Sequence, residues 1–350
     1  MMNLTRLLNI EHPVVQAPMY GVTTPEMVTA ASNTGCLGSL PLGDLPAEKC
    51  REIIRTTKQL SGRPFATNLF VNEVPELTIE LREKYALTKL FIEGLAKQYD
   101  MEVALPGIDE LEIGTYHDQI DAVLDSDCKI VSFTFGNLDK PAIRKFKSNN
   151  VVLIGTCTSV AEAVLLEQSG IDVICVQGIE AGGHRGAFGS DYIPQIGGLS
   201  LLAQVSGTVK VPLIYAGGIY NAKTFQAAKA LGAQAVQVGS MLIGSAESAL
   251  KDFEKQRLTT VKETDIVLTR SFSGRYARGI KNFFTESLDN SDYILPYPYQ
   301  NKLTGELRKL AKARANVDFV SIWLGQSITG YSRRSTSEIL TGLINEIGNV

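Results

Sequence analysis

Short, nearly unbroken apolar runs recur along the chain at 14–19, 36–43, 65–71, 129–136, 151–158, 173–180, 213–219 and 235–243. Their apolar residues are continuous rather than alternating, which is how strands read when both faces are buried. Between the runs the spacing changes to that of helices. A helix is expected over 24–34, with Thr24 as N-cap and Pro25 at its first position. Another is expected over 159–169, where Ser159 followed by Glu162 reads as a capping box and Gly170 as the stop. A third spans 221–231 and ends at Gly232.

Eight strand–helix units predict an α/β chain of the (β/α)8, or TIM-barrel, class. An open doubly wound sheet is the structural alternative. It calls for a phosphate loop after the first strand, and Ala17-Pro18-Met19-Tyr20-Gly21 is not a G-x-G-x-x-G. A barrel takes about 250 residues, and the chain has 350. The excess falls in two places. Residues 72–128 form an insertion after the third strand, with helical patterns at 76–100 and 116–125. Residues 248–350 continue past the eighth strand, with a further helix near 305–314. The expected organisation is therefore a barrel over 1–247 carrying its insertion, and a C-terminal segment over 248–350 packed beside the barrel mouth as a lid.

Composition narrows the classes. With 44% hydrophobic and 20% charged residues and no repeat, disordered and fibrous classes are excluded. A net charge of −3 lacks the basic excess of a nucleic-acid binder. No segment approaches the ~20 apolar residues of a membrane span, and the first residues carry no secretory signal pattern. Five cysteines, an odd number without a C-x-x-C, favour neither disulfides nor zinc. The three histidines are not spaced as metal ligands. A cytoplasmic protein without a metal, acting on small molecules as a monomer or homodimer, is expected.

Barrel chemistry sits at the C-terminal strand ends. Gly217-Gly218 after the seventh strand and Gly239-Ser240 after the eighth suit a phosphate, because glycine lets main-chain N–H groups approach an anion. His184 lies in the loop Gly182-Gly183-His184-Arg185-Gly186 after the sixth strand, where an imidazole is a candidate base or donor to an anionic substrate. His12 and His117 lack such a setting and read as surface residues.

At the level of motifs the chain resembles the nitronate monooxygenases, FMN-dependent TIM-barrel flavoenzymes. The residues that carry the likeness are 16–19 (QAPM), 68–70 (NLF), 177–186 (QGIEAGGHRG), 216–219 (AGGI), 237–240 (QVGS), 272–275 (FSGR), 296–301 (PYPYQN) and 323–326 (WLGQ). The resemblance implies bound FMN, contacted by Asn68, Gln177, Gly182, Gly218, Gln237, Val238, Gly239 and Ser240. Met19 and Gly217 are taken as further cofactor contacts, and His184 as the catalytic histidine. The implied reaction is oxidation of nitronates such as propionate 3-nitronate by O2 to a carbonyl compound with nitrite or nitrate. Tyr297, Tyr299 and Lys302 are candidate donors to an anionic substrate. The alternative is an NAD(P)H-dependent flavin reductase of enoyl thioesters or quinones, which shares the Glu-Ala-Gly-Gly-His core. Two positions depart from the family pattern: Tyr20, where a small residue is expected, and Thr134, where many relatives carry a second histidine.

Overall fold

The structure is a computed structural model that describes residues 3–189, 192–328 and 330–349. Eleven strands are present among them: β1 Val14–Gln16, β2 Gly38–Gly43, β3 Phe65–Phe70, β4 Ile130–Thr134, β5 Val152–Cys157, β6 Val173–Gln177, β7 Gly183–His184, β8 Leu213–Ala216, β9 Ala235–Val238, β10 Ile266–Thr269 and β11 Ala277–Ile280. Eight are parallel in the order β1-β9-β8-β6-β5-β4-β3-β2. A parallel bridge between Val15 and Leu37 brings the two end strands together. This is the expected (β/α)8 barrel. Its interior is filled by inward side chains such as Val15, Ala66, Ile130, Ile154 and Ile214, and Leu4 and Leu8 of the first helix join that cluster.

Local signals place the helices. Thr24 accepts from Met27 N at 3.1 Å, with Pro25 opening the helix Pro25–Asn33. Asn221 caps the helix Ala222–Ala230, which closes at Gly232 with φ +105°. The capping box at Ser159 is only half formed. Ser159 accepts from Glu162 N, but the Glu162 carboxylate turns to Thr158 N (2.5 Å) and Phe188 N (2.9 Å). The loop after β6 needs that acceptor, so a residue expected to cap a helix instead ties the helix to the loop.

Past β9 the organisation differs from the sequence expectation. The last helix, Thr336–Gly348, does not lie beside the mouth. It packs against Pro25–Asn33 and Ala222–Ala230, the place of an eighth barrel helix. Ile339, Leu340 and Leu343 bury into the main core, because the helix carries its apolar residues on one face. The intervening chain is thus a second excursion from the barrel. Its Phe272, Phe284 and Leu303 share a second core with Tyr85, Ile92 and Leu95 of the helix Ile79–Lys97 in the 72–128 insertion. The excursion also carries β10 and β11, which form a small antiparallel sheet with β7.

Candidate active site

The C-terminal strand ends surround a cavity of about 290 Å³. Met19, Asn68, Gln177, Gly182, His184, Gly217, Gly218, Gln237, Gly239 and Ser240 all line it. Val238, one of the expected cofactor contacts, does not contribute its side chain. That side chain points into the core and is buried there, as the alternation along β9 requires.

Two glycine stretches shape one end. Gly217 has φ +137° and Gly218 φ +66°, conformations that disfavour any side chain. The N–H groups of Gly218, Gly239 and Ser240 meet no protein acceptor among the described residues. Ser240 Oγ accepts from Gly325 N at 2.9 Å, and Ser327 Oγ donates to the Gly218 carbonyl at 3.3 Å. The excursion therefore closes over both glycine turns. Beneath them Glu180 acts as a brace. Its carboxylate accepts from Gly198 N at 3.0 Å and from the Tyr215 hydroxyl.

His184 is held on every side. Its backbone pairs with Ala277 across β7 and β11, and its carbonyl accepts from Gln177 Nε2 at 3.0 Å. Gln177 Oε1 accepts from Gly186 N at 2.8 Å, so this side chain staples the loop to β6. His184 Nε2 lies 2.8 Å from Ser273 Oγ. The Ser273 hydroxyl is itself 3.1 Å from the Arg275 carbonyl, which can only accept. Donating there leaves the serine oxygen to accept from His184 Nε2–H, and Nδ1 to carry the lone pair. The rings of Trp323 and Phe135 stand 5.4 and 5.7 Å from the imidazole.

Three buried arginines fix the same loop from below. Arg185 donates to the Gly178 and Gln177 carbonyls, Arg278 to Ile179, and Arg275 to Ala187. Of the three, Arg275 bears on the histidine through its charge. Burial, then Arg275 and Arg308, lowers the His184 pKa to about 3. The imidazole is thus neutral at physiological pH and sits in a positive field that suits an anion.

The three expected substrate donors are not brought together in the cavity. Lys302 is engaged 2.7 Å from Asp44, whose other partner is the Tyr20 hydroxyl at 2.8 Å. Burial would raise the Asp44 carboxyl, but the hydrogen bond and charge of Lys302 outweigh it and hold it below the usual carboxylate range. Tyr297 is buried and lines a small neighbouring pocket with Asp44, Phe70 and Lys302. Tyr299 turns away into the second core and donates to the Pro75 carbonyl at 2.6 Å. Sequence proximity in the Pro-Tyr turn misled here, because the helix Tyr299–Leu303 splays consecutive residues to different sides.

A cation that lines the cavity is Arg308, on the helix Gly305–Ala313. Its guanidinium donates to the Asn301 carbonyl and Oδ1 at 2.8 and 2.9 Å, with no carboxylate within ion-pair reach among the described residues. Lys312, one turn on, also lines the cavity and pairs with Glu254 at 3.3 Å. Nothing in the sequence separates Arg308 from the surface cations of an ordinary amphipathic helix. His117 is exposed and pairs with Asp139 at 2.7 Å, while His12 is half-buried, and neither lines the cavity. All five cysteines are free and buried, and no metal-ligand cluster occurs among the described residues. Tyr20, the unexpected large residue, covers Gly43, where a Cβ would fall 2.4 Å from its ring. Thr134 lines the cavity beside Phe135.

A barrel with a polar, glycine-rich cavity at its C-terminal mouth defines the class of (β/α)8 enzymes. The nitronate monooxygenase family profile matches residues 2–346. A probable nitronate monooxygenase of Staphylococcus saprophyticus is 36% identical over 351 residues, covering 99% of this chain and 98% of its own. A probable nitronate monooxygenase of Staphylococcus aureus strain Newman is 35% identical, covering 99% and 97%. Among solved structures, a nitroalkane oxidase from Streptomyces ansochromogenes superposes with a TM-score of 0.89 at 32% identity, over 99% and 98% of the two chains. FabK from Thermotoga maritima has a TM-score of 0.76 at 24% identity, over 100% and 96%, a likeness of fold alone. The chain belongs to the nitronate monooxygenase family of oxidoreductases.

Proposed function

We propose that this protein oxidises alkyl nitronates, of the type of propionate 3-nitronate, with O2 to a carbonyl compound and nitrite or nitrate, using non-covalently bound FMN. The observation that carries the reading is the shared cavity. A neutral His184 and Arg308, which has no carboxylate partner among the described residues, face one space that also holds two glycine turns whose N–H groups meet no acceptor among those residues.

The residues fit FMN. Gly218, Gly239 and Ser240 would receive the phosphate on main-chain N–H groups, and Asn68 and Met19 would lie along the ring system. No cysteine lines the cavity to make a covalent flavin link. When bound, FMN supplies the electron-accepting and O2-reactive centre. The chain's own part is electrostatic and positional. His184 turns its Nδ1 lone pair to the site without adding a fixed charge, Arg308 receives a carboxylate tail, and the aromatic rings of Phe135 and Trp323 exclude water around the imidazole. For a neutral nitroalkane, the Nδ1 lone pair is the acceptor for the α-proton. A base with a pKa of about 3 is weak for that task, so preformed nitronates are the better substrates.

Purified protein should release FMN on denaturation and consume O2 with propionate 3-nitronate in the absence of nicotinamide. Release of no flavin would overturn the assignment outright, and flavin reduction by NAD(P)H with no turnover of nitronate would overturn it in favour of the reductase reading.

A further inference from the structure

One cavity residue carries a backbone conformation that its side chain opposes. Phe135 follows β4 with φ +77°. Left-handed backbone is rare for bulky residues and persists only where the surroundings over-determine it. The next residue shows why the chain turns there: a Cβ on Gly136 would fall 2.3 Å from the Val71 carbonyl oxygen. A glycine at 135 would satisfy the same turn without strain. The phenylalanine ring is nevertheless present, buried, and clamped.

The clamp comes from four directions. The Arg275 guanidinium lies 4.4 Å from the ring centroid. Phe70 is 4.7 Å away, His184 5.7 Å and Tyr297 5.8 Å, centroid to centroid. Arg275 is itself held by the Ala187 carbonyl at 2.7 Å. The ring therefore cannot swing aside as an ordinary aromatic rotamer could, and it lines the cavity next to the imidazole.

We propose that Phe135 is a specificity-determining residue, a fixed wall that limits the organic part of the substrate beside His184 to a short, unbranched chain. The inference rests on the anion-binding reading of the cavity given above. With a carboxylate held at Arg308, the carbon chain runs toward His184 along the wall formed by Phe135 and Phe70. A ring that cannot move rejects extra methylenes by overlap, and one misplaced methylene is worth about 10–200-fold in discrimination.

Short carboxylates mimic nitronates as planar two-oxygen anions, so binding can be read without turnover. Calorimetric titration of the FMN-loaded enzyme with propionate, butyrate and hexanoate should show affinity falling at least ~10-fold from the shortest to the longest. In Phe135→Ala the fall should shrink below ~3-fold, with Phe135→Leu intermediate and FMN content unchanged. Wild-type affinity that does not depend on length would overturn the proposal, as would the same length dependence in all three proteins. Loss of fold in both variants would make Phe135 a folding residue and overturn its specificity role. Failure of every carboxylate and nitronate to bind wild-type enzyme would instead remove the anion site on which the proposal stands. That outcome is distinct from length-independent binding.

Discussion

Neutral His184 leaves a signature in stability as well as in binding. In an unfolded chain a histidine titrates near 6.5, whereas in the fold burial, Arg275 and Arg308 lower His184 to about 3. Between those values the unfolded state binds the proton and the native state does not. Stability therefore rises with pH across the window, and is lost as pH falls from about 6.5 toward 3. Each pH unit in the window is worth up to about 1.4 kcal/mol. At pH 4.5, two units below the unfolded pKa, the full cost is about 2.7 kcal/mol, and water in the open cavity reduces it to roughly 1–2 kcal/mol. His184→Asn removes this group and keeps a hydrogen-bond donor. Denaturant unfolding of both proteins at pH 7.5 and 4.5 isolates the contribution, because all other titrating groups are common to the pair. The wild type should lose about 1–2 kcal/mol more than the variant on going to pH 4.5. Parallel losses would show that His184 titrates normally and that the positive field assigned to the cavity is absent. The same neutrality predicts that kcat/KM for a nitronate shows no ionisation of His184 between pH 5 and 8.

Gly218→Ala places a Cβ on a residue at φ +66°, so about 1 kcal/mol of strain and a blocked N–H should cut FMN content while the fold persists. Absorbance of the bound flavin checks it, and full occupancy would mean that the turn only packs. Arg308→Met should lower kcat/KM for a carboxylate-bearing nitronate by about 10–10²-fold, the worth of a charged hydrogen bond, and by less than about 3-fold for a simple alkyl nitronate; equal losses on both would exclude a role in tail recognition. Ser273→Ala removes the partner of His184 Nε2. It should lower kcat for the nitronate several-fold with FMN content retained, and unchanged steady-state kinetics would show that the tautomer is fixed elsewhere.

The barrel was legible because its signals are local and repeated. Continuous apolar runs such as 151–158 can be buried only between two covered faces, and caps such as Thr24 and Asn221 act within a single turn. The glycine turns and His184 were legible for the same reason, since a strand end followed by glycines announces a place where backbone must come close to something. The path of the last hundred residues was not legible. Whether the helix Thr336–Gly348 sits at the mouth or completes the helical ring depends on a vacancy between two helices more than a hundred residues away in sequence.

Charge was the least legible property. Lys302 and Arg308 are both cations on the same stretch, and their side chains differ little on paper. Asp44, at the end of a strand far upstream, pairs with Lys302 and leaves Arg308 to the cavity. Nor does the sequence reveal that Arg275 clamps Phe135 or lowers the histidine. The sequence alone determined which elements form and which strand ends must be polar, because those follow from burial and backbone geometry within a few residues. Which cation lacks a carboxylate partner among the described residues, which nitrogen of His184 carries the proton and which rings line the cavity were decided only by the tertiary structure. Coulomb and hydrogen-bond partners are chosen by distance in space, and folding sets that distance between residues the sequence keeps apart.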